Sequence, residues 1–155
     1  MIDRLKRGLP SVACLFFCAF GLNLVAQNSG FKVIQPQGYA AADSFYSPGI
    51  LTRGTLYIAG QGSRKPDGTR PAVLAEQVAQ ALSNVQAVLK GASMNFENVV
   101  WVNIYLRDEQ DVAGMNEVYW QTIGQSFPAR TVLTVAALPD GEKVEINCIA
   151  AIAKK

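Results

Sequence analysis

The order and period of the apolar residues predict an α+β domain, a mixed sheet with two helices on one face. Three observations carry this. Several short β-branched and aromatic runs are bounded by Gly, Pro and Asp turn signals. Two longer segments repeat apolar residues at steps of three and four, the helical period. The order of these segments is strands, helix, strand, helix, strand, strand, which places both helices against a single sheet.

Taken in order, the first element is a short strand at Phe31 to Ile34, followed by a turn-rich lead-in. Thr55 to Ile58 form a β-prone run between Gly54 and Gly60, and Pro66-Asp67-Gly68 marks a turn. The first helix carries Leu74, Val78, Ala81, Leu82, Val85, Val88 and Leu89 on one stripe. Glu76, Gln77, Gln80, Ser83, Gln86 and Lys90 are expected on the solvent side, with Pro71 near the start and Gly91 at the stop. A strand from Val99 to Leu106 follows. The second helix aligns Val112, Met115, Val118, Tyr119 and Ile123, and Gly124 and Pro128 close it. Two strands, Thr131 to Ala137 and Lys143 to Ala153, finish the chain, with Leu138 to Gly141 read as the turn of a hairpin.

The last strand poses a packing problem. Val144, Ile146, Cys148, Ala150 and Ile152 point to one face, and Glu145, Asn147, Ile149, Ala151 and Ala153 to the other. Neither face is polar throughout, although only one lies under helices. The second face therefore calls for cover by another copy of the chain, and Glu145 is expected near that interface.

Residues 1–26 stand apart from this pattern. A basic head, Arg4, Lys6 and Arg7, precedes an apolar run that ends at Leu24-Val25-Ala26, the layout of a secretory signal peptide. Export to the periplasm or the medium is the expectation, with an uncleaved membrane anchor as the alternative. Residues 27–155 then form one domain. The whole chain holds 14 basic and 12 acidic residues. Without the leader's three basic residues and Asp3, eleven of each remain, so no net positive charge marks a nucleic-acid partner.

The chain has no histidine. That removes Ser–His and Cys–His nucleophile pairs, an imidazole base and His-ligated zinc. Cys148 is alone once Cys14 and Cys18 leave with the leader, and its apolar strand suits a buried thiol. The candidates for chemistry are Arg130, which opens a strand after Phe127-Pro128-Ala129, and Glu145, held between Val144 and Ile146. Burying that carboxylate costs several kcal/mol unless it is paired or hydrogen-bonded. An ion pair and a binding site both satisfy this. In a hairpin turned at 138–141, Arg130 lies opposite residues near 149, so a direct pair within one chain is disfavoured and an arrangement between subunits is more natural.

The segment "PARTVLTVAALPDGEKVEINCIA" resembles the signature of the RidA/YjgF family of enamine/imine deaminases. "FYSPGI", "LYIAGQ", "QALSNVQAVLKGASMNFENVVWVNIYLRD" and "MNEVYWQTI" resemble further family segments, in order and over essentially all of residues 27–155. The resemblance implies a chorismate-mutase-like topology, a homotrimer with clefts between subunits, and no metal or organic cofactor. It implies that Arg130 holds the carboxylate of a 2-imino or 2-enamino acid, that Glu145 activates water, and that Tyr46 stacks on the substrate. Ala59, Gly60 and Asn116 would line the same cleft. The chain departs from the family at Ala59, where a serine is common, at Val132, where deaminating members often carry cysteine, and at Asn147, where a second glutamate is frequent. These departures bear on substrate choice. Alternative readings are a carboxylate-binding trimer without turnover and a chaperone-like interaction module; a ribonuclease fits least with the neutral charge and absent histidine.

Overall fold

A computed structural model describes residues 30–38, 46–124 and 127–152. The leader expected at residues 1–26 lies outside them, and among the described residues no helix is long and apolar enough to cross a membrane. Six strands form one mixed sheet: β1 (Lys32–Ile34), β2 (Gly49–Thr52), β3 (Thr55–Gln61), β4 (Val99–Leu106), β5 (Ala129–Thr134) and β6 (Val144–Ala151). Their spatial order is β1-β2-β3-β6-β4-β5, with β4 and β5 parallel and all other neighbours antiparallel. Helix α1 (Leu74–Gly91) packs on β3 and β6, and α2 (Val112–Ile123) packs beside it.

The α+β architecture is the expected one. The core joins Val78, Leu82, Val85 and Leu89 of α1 to Leu56 and Ile58 of β3, Val102, Ile104 and Leu106 of β4, and Ile146 and Cys148 of β6. The strict buried/half-buried alternation of β6 follows the parity read from the sequence. On the other face Val33, Tyr57, Trp101 and Leu133 remain about half exposed. Asn147 spends its side-chain oxygen on Asn103 Nδ2 at 2.9 Å there.

The closing hairpin is not formed. The segment Leu138 to Gly141 does not turn β5 back on itself; β4 lies between β5 and β6. The reason is the β4–α2–β5 crossover, which lays β5 parallel along the outer side of β4. β6, which carries apolar residues on both faces, takes the central place between β3 and β4, where such a strand is best buried. The expected hairpin register of Arg130 against residues near 149 falls with it. β2 is a strand that the turn signals around it had hidden.

Two details of α1 also differ. Gln77, assigned to the solvent side, is 6% exposed: Nε2 donates to the Pro71 carbonyl, and Oε1 accepts from the Lys143 backbone N–H. Gly91 ends the helix, but the left-handed residue that follows is Ser93, at φ 58°. Gly91 is small because Ile34 lies against it, 2.8 Å from where a β-carbon would stand.

Candidate functional site

The structure sorts the candidate residues into two groups. Tyr46, Ala59, Gly60 and Glu145 line one cleft of about 810 Å³. Arg130 and Asn116 lie together elsewhere. The cleft sits where β3 slips its register against β6 between Ile58 and Gln61, a bulge that bends the strand end away from its neighbour. The Glu145 carboxylate occupies the space this opens. A β-carbon on Gly60 would collide with it, so glycine is what allows the backbone to pass so close. Tyr46 stands exposed at the rim, and the Ala59 carbonyl accepts from Gln61 Nε2 at 3.0 Å.

Glu145 has its carboxyl held above the ordinary carboxylate range. Burial is the first cause, and the negative charge of Glu142 is the second. Glu142 itself is buried and bonded to Ser63 and Arg70. The loop that walls the cleft is fastened from α1, where Asn84 Nδ2 donates to the Gly62 and Arg64 carbonyls at 2.9 and 2.8 Å. Ser63, Arg70, Asn84 and Glu142 were not singled out in the sequence. One signal was present: residues 77, 81, 84 and 88 share a helical stripe, so Gln77 and Asn84 interrupt an apolar face with amides.

Arg130 opens the edge strand β5. Its parallel partner is Val102, whose side chain is buried under the helices, so Arg130 projects on the helix side of the sheet. There NH1 donates to Asn116 Oδ1 at 2.7 Å, and the guanidinium stands 4.8 Å from the ring centre of Tyr119 and 5.0 Å from that of Trp120. These contacts hold the fork on two aromatic faces and leave its other N–H groups for an acceptor. The Tyr119 hydroxyl is buried without a hydrogen-bond partner among the described residues. Burial raises its pKa, against the opposing charge of Arg130.

Glu145 is paired with Tyr105 on the opposite, helix-free face. Arg130 and Glu145 are thus two strands and three register positions apart, about 14 Å between backbones on ordinary sheet spacings, and they face opposite ways. No ion pair joins them within the chain; among the described residues Arg64 and Arg70 pair with Asp140, and Arg70 also with Glu142. The free thiol of Cys148 is buried in the core, with its pKa pushed up to about 12 by desolvation. Val132 packs at the edge of the core. Among the described residues no three Cys, Asp or Glu side chains are grouped to hold a metal ion.

Comparison with known proteins adds to this geometry. A family model described as "Endoribonuclease L-PSP" matches residues 38–152. A Bos taurus protein named 2-iminobutanoate/2-iminopropanoate deaminase is 41% identical over 121 residues, covering 77% of this chain and 88% of its own length. The structure of the YjgF gene product from E. coli superposes with a TM-score of 0.74 at 30% identity, over 79% of this chain and 99% of that one. E. coli TdcF, solved with bound serine, gives 0.75 at 29% identity over the same shares. The chain belongs to the endoribonuclease L-PSP family, that is, the RidA/YjgF family.

Proposed function

We propose that the protein hydrolyses reactive 2-imino and 2-enamino acids to 2-keto acids and ammonia, in clefts formed between copies of the chain. The observation that carries this reading is the placement of Arg130 and Glu145 on opposite faces of one sheet. A single chain offers a small substrate one or the other; a neighbouring copy seated on the open sheet face offers both. The half-exposed Tyr57, Trp101 and Leu133 supply the apolar surface for that neighbour, and a homotrimer is the assembly proposed. Deaminase activity borne by a relative 41% identical supports the chemistry.

In this mechanism Arg130 grips the substrate carboxylate as a fork, braced by Asn116 and the two rings. The imine carbon is already electrophilic, so the protein's task is to place water and move protons. Glu145 as the carboxylate takes a proton from the attacking water while oxygen bonds to carbon. The resulting carboxylic acid gives that proton to nitrogen, leaving a carbinolamine. Glu145 then takes the proton of the new hydroxyl and delivers it to the amine, the C–N bond breaks, and ammonia leaves as the carbonyl forms. A carboxyl whose pKa is raised performs both halves near neutral pH more readily than an ordinary one. No metal or organic cofactor enters this scheme. The family's description names a ribonuclease, but a chain without histidine and with balanced charge beyond the leader fits small-molecule hydrolysis better. Export through the 1–26 leader is part of the proposal; a fractionation experiment with amino-terminal sequencing tests it.

The test of function is ammonia and keto-acid release from a panel of amino acids oxidised in situ. Wild type is expected to turn over, and Arg130→Ala and Glu145→Ala are expected to fall to the uncatalysed rate. Variants as fast as wild type would sink the assignment. Keto-acid binding without turnover would leave a carboxylate-binding trimer in its place.

A further inference from the structure

A second carboxylate stands beside Glu145. Glu142, on the turn that leads into β6, is 5% exposed, and a charge so buried is costly unless it is well partnered. Ser63 Oγ donates to its Oε2, and Arg70 Nε donates to its Oε1 at 2.9 Å. Arg70 also pairs through NH2 with Asp140. The backbone above is shaped to both acids: a β-carbon on Gly60 would meet Glu145, and one on Gly62 would stand 2.8 Å from Glu142 Oε1. Two glycines two residues apart thus lie over two carboxylates three residues apart, and both acids line one cleft.

We propose that Glu142, clamped by Ser63 and Arg70, is a positioning residue for Glu145. The clamp fixes the Gly60–Gly62 backbone over the Glu145 carboxyl, and the charge of Glu142 sets the protonation state in which Glu145 meets substrate. This rests on the proton-carrying role proposed above for Glu145.

The other charges around Glu145 leave this effect standing. On the cleft wall Arg64, Arg70, Asp140 and Glu142 form a cluster of two cations and two anions, with Arg64 3.7 Å from Asp140. Lys65 and Asp67 of the same loop are exposed and of opposite sign. Tyr46 lines the rim, and Tyr105 on β4 is the cross-strand partner of Glu145. Lys143 precedes β6, and Arg107 at the end of β4 reaches the Gly141 carbonyl. Glu142 is the anion whose field on Glu145 acts alongside burial to favour the protonated form. Removing Glu142's charge therefore lowers the Glu145 midpoint. Removing Arg70 leaves the cluster net negative and raises it.

The experiment is a carbon-13 NMR titration of the Glu145 carboxyl in the full-length assembled protein, its resonance identified by loss in Glu145→Gln. Wild type, Glu142→Gln and Arg70→Met are compared, alongside pH profiles of ammonia release from 2-iminopropanoate. Glu142→Gln is expected to move the midpoint down by about half a pH unit or more, a roughly threefold change in the protonation constant. Arg70→Met is expected to move it up by a similar amount, and the matching limb of each rate profile follows. A merely structural role shifts the two midpoints not at all, or both in one direction. Either result, with folding intact by circular dichroism, overturns the inference. If Glu142→Gln does not fold, the upward shift in Arg70→Met decides alone. Should wild type release no ammonia, the reading of Glu145 as proton carrier fails, while the midpoints still decide what Glu142 does to it.

Discussion

Gly60→Ala isolates the closeness of the β3 backbone to Glu145. Gly60 is not among the residues with positive φ, so alanine can adopt its backbone conformation and the perturbation is steric only. The new β-carbon would stand 2.6 Å from Glu145 Cδ. Ordinary carbon contacts are about 3.5–4.0 Å, so Cδ must retreat by at least about 1 Å, and Oε1, which lies nearer still, by more. It sits at the end of a flexible side chain, and the retreat costs about 0.5–1.5 kcal/mol of rotamer strain. The melting temperature is expected to fall by only about 3–6 °C for each kcal/mol. Activity suffers more, because displacing a reacting group by about 1 Å costs on the order of 10²-fold. The loss belongs in kcat, since Arg130 and its braces are untouched. Steady-state ammonia release on 2-iminopropanoate and a thermal melt read both quantities. Wild-type kcat in a stably folded Gly60→Ala protein would refute the reasoning, since Glu145 could then do its work from somewhere else.

Asn84→Ala orphans the Gly62 and Arg64 carbonyls; about 2–4 kcal/mol of stability is expected to go, with faster hydrogen exchange in the 62–70 loop. Trp101→Asp sets a carboxylate on the open sheet face and is expected to yield monomers by sedimentation velocity, with loss of turnover if the cleft is shared between copies as proposed. Cys148 supplies a stability test in alkali. Its folded pKa of about 12 lies above the ordinary thiol value of 9.0, so the unfolded chain loses the proton first. Its contribution to stability is thus intact below pH 9 and declines by about 1.4 kcal/mol per unit as pH rises from 9 toward 12. Cys148→Ala is expected to flatten that part of a urea-midpoint profile.

Most of the fold was legible because its signals are local. The seven-residue apolar stripe from Leu74 to Leu89 could be nothing but an amphipathic helix, and the run from Val99 to Leu106 matches β4 residue for residue. Parity along β6 foretold which side chains face the helices and that Glu145 does not. The pairing of β5 was misread because a turn signal at 138–141 says that the chain bends, not which strand it meets next. Gln77 was misread for a related reason: an amide on a helix counts as polar until the carbonyl of Pro71 and the N–H of Lys143 are brought to it.

The candidate site divides the same way. Residue types and spacing alone picked out Arg130 and Glu145 as charges without local partners, and the family pattern added Tyr46, Ala59, Gly60 and Asn116. Only the tertiary structure separates them into two groups on opposite sheet faces, because side-chain direction depends on strand parity, which the sequence displays, and on strand order, which it does not. It also takes the fold to bring Ser63, Arg70 and Glu142 together, since the Ser63–Glu142 bond spans 79 residues and the Arg70–Glu142 bond 72. Period and propensity act over a few residues; the electrostatics of Glu145 are set by neighbours that only the closed sheet supplies.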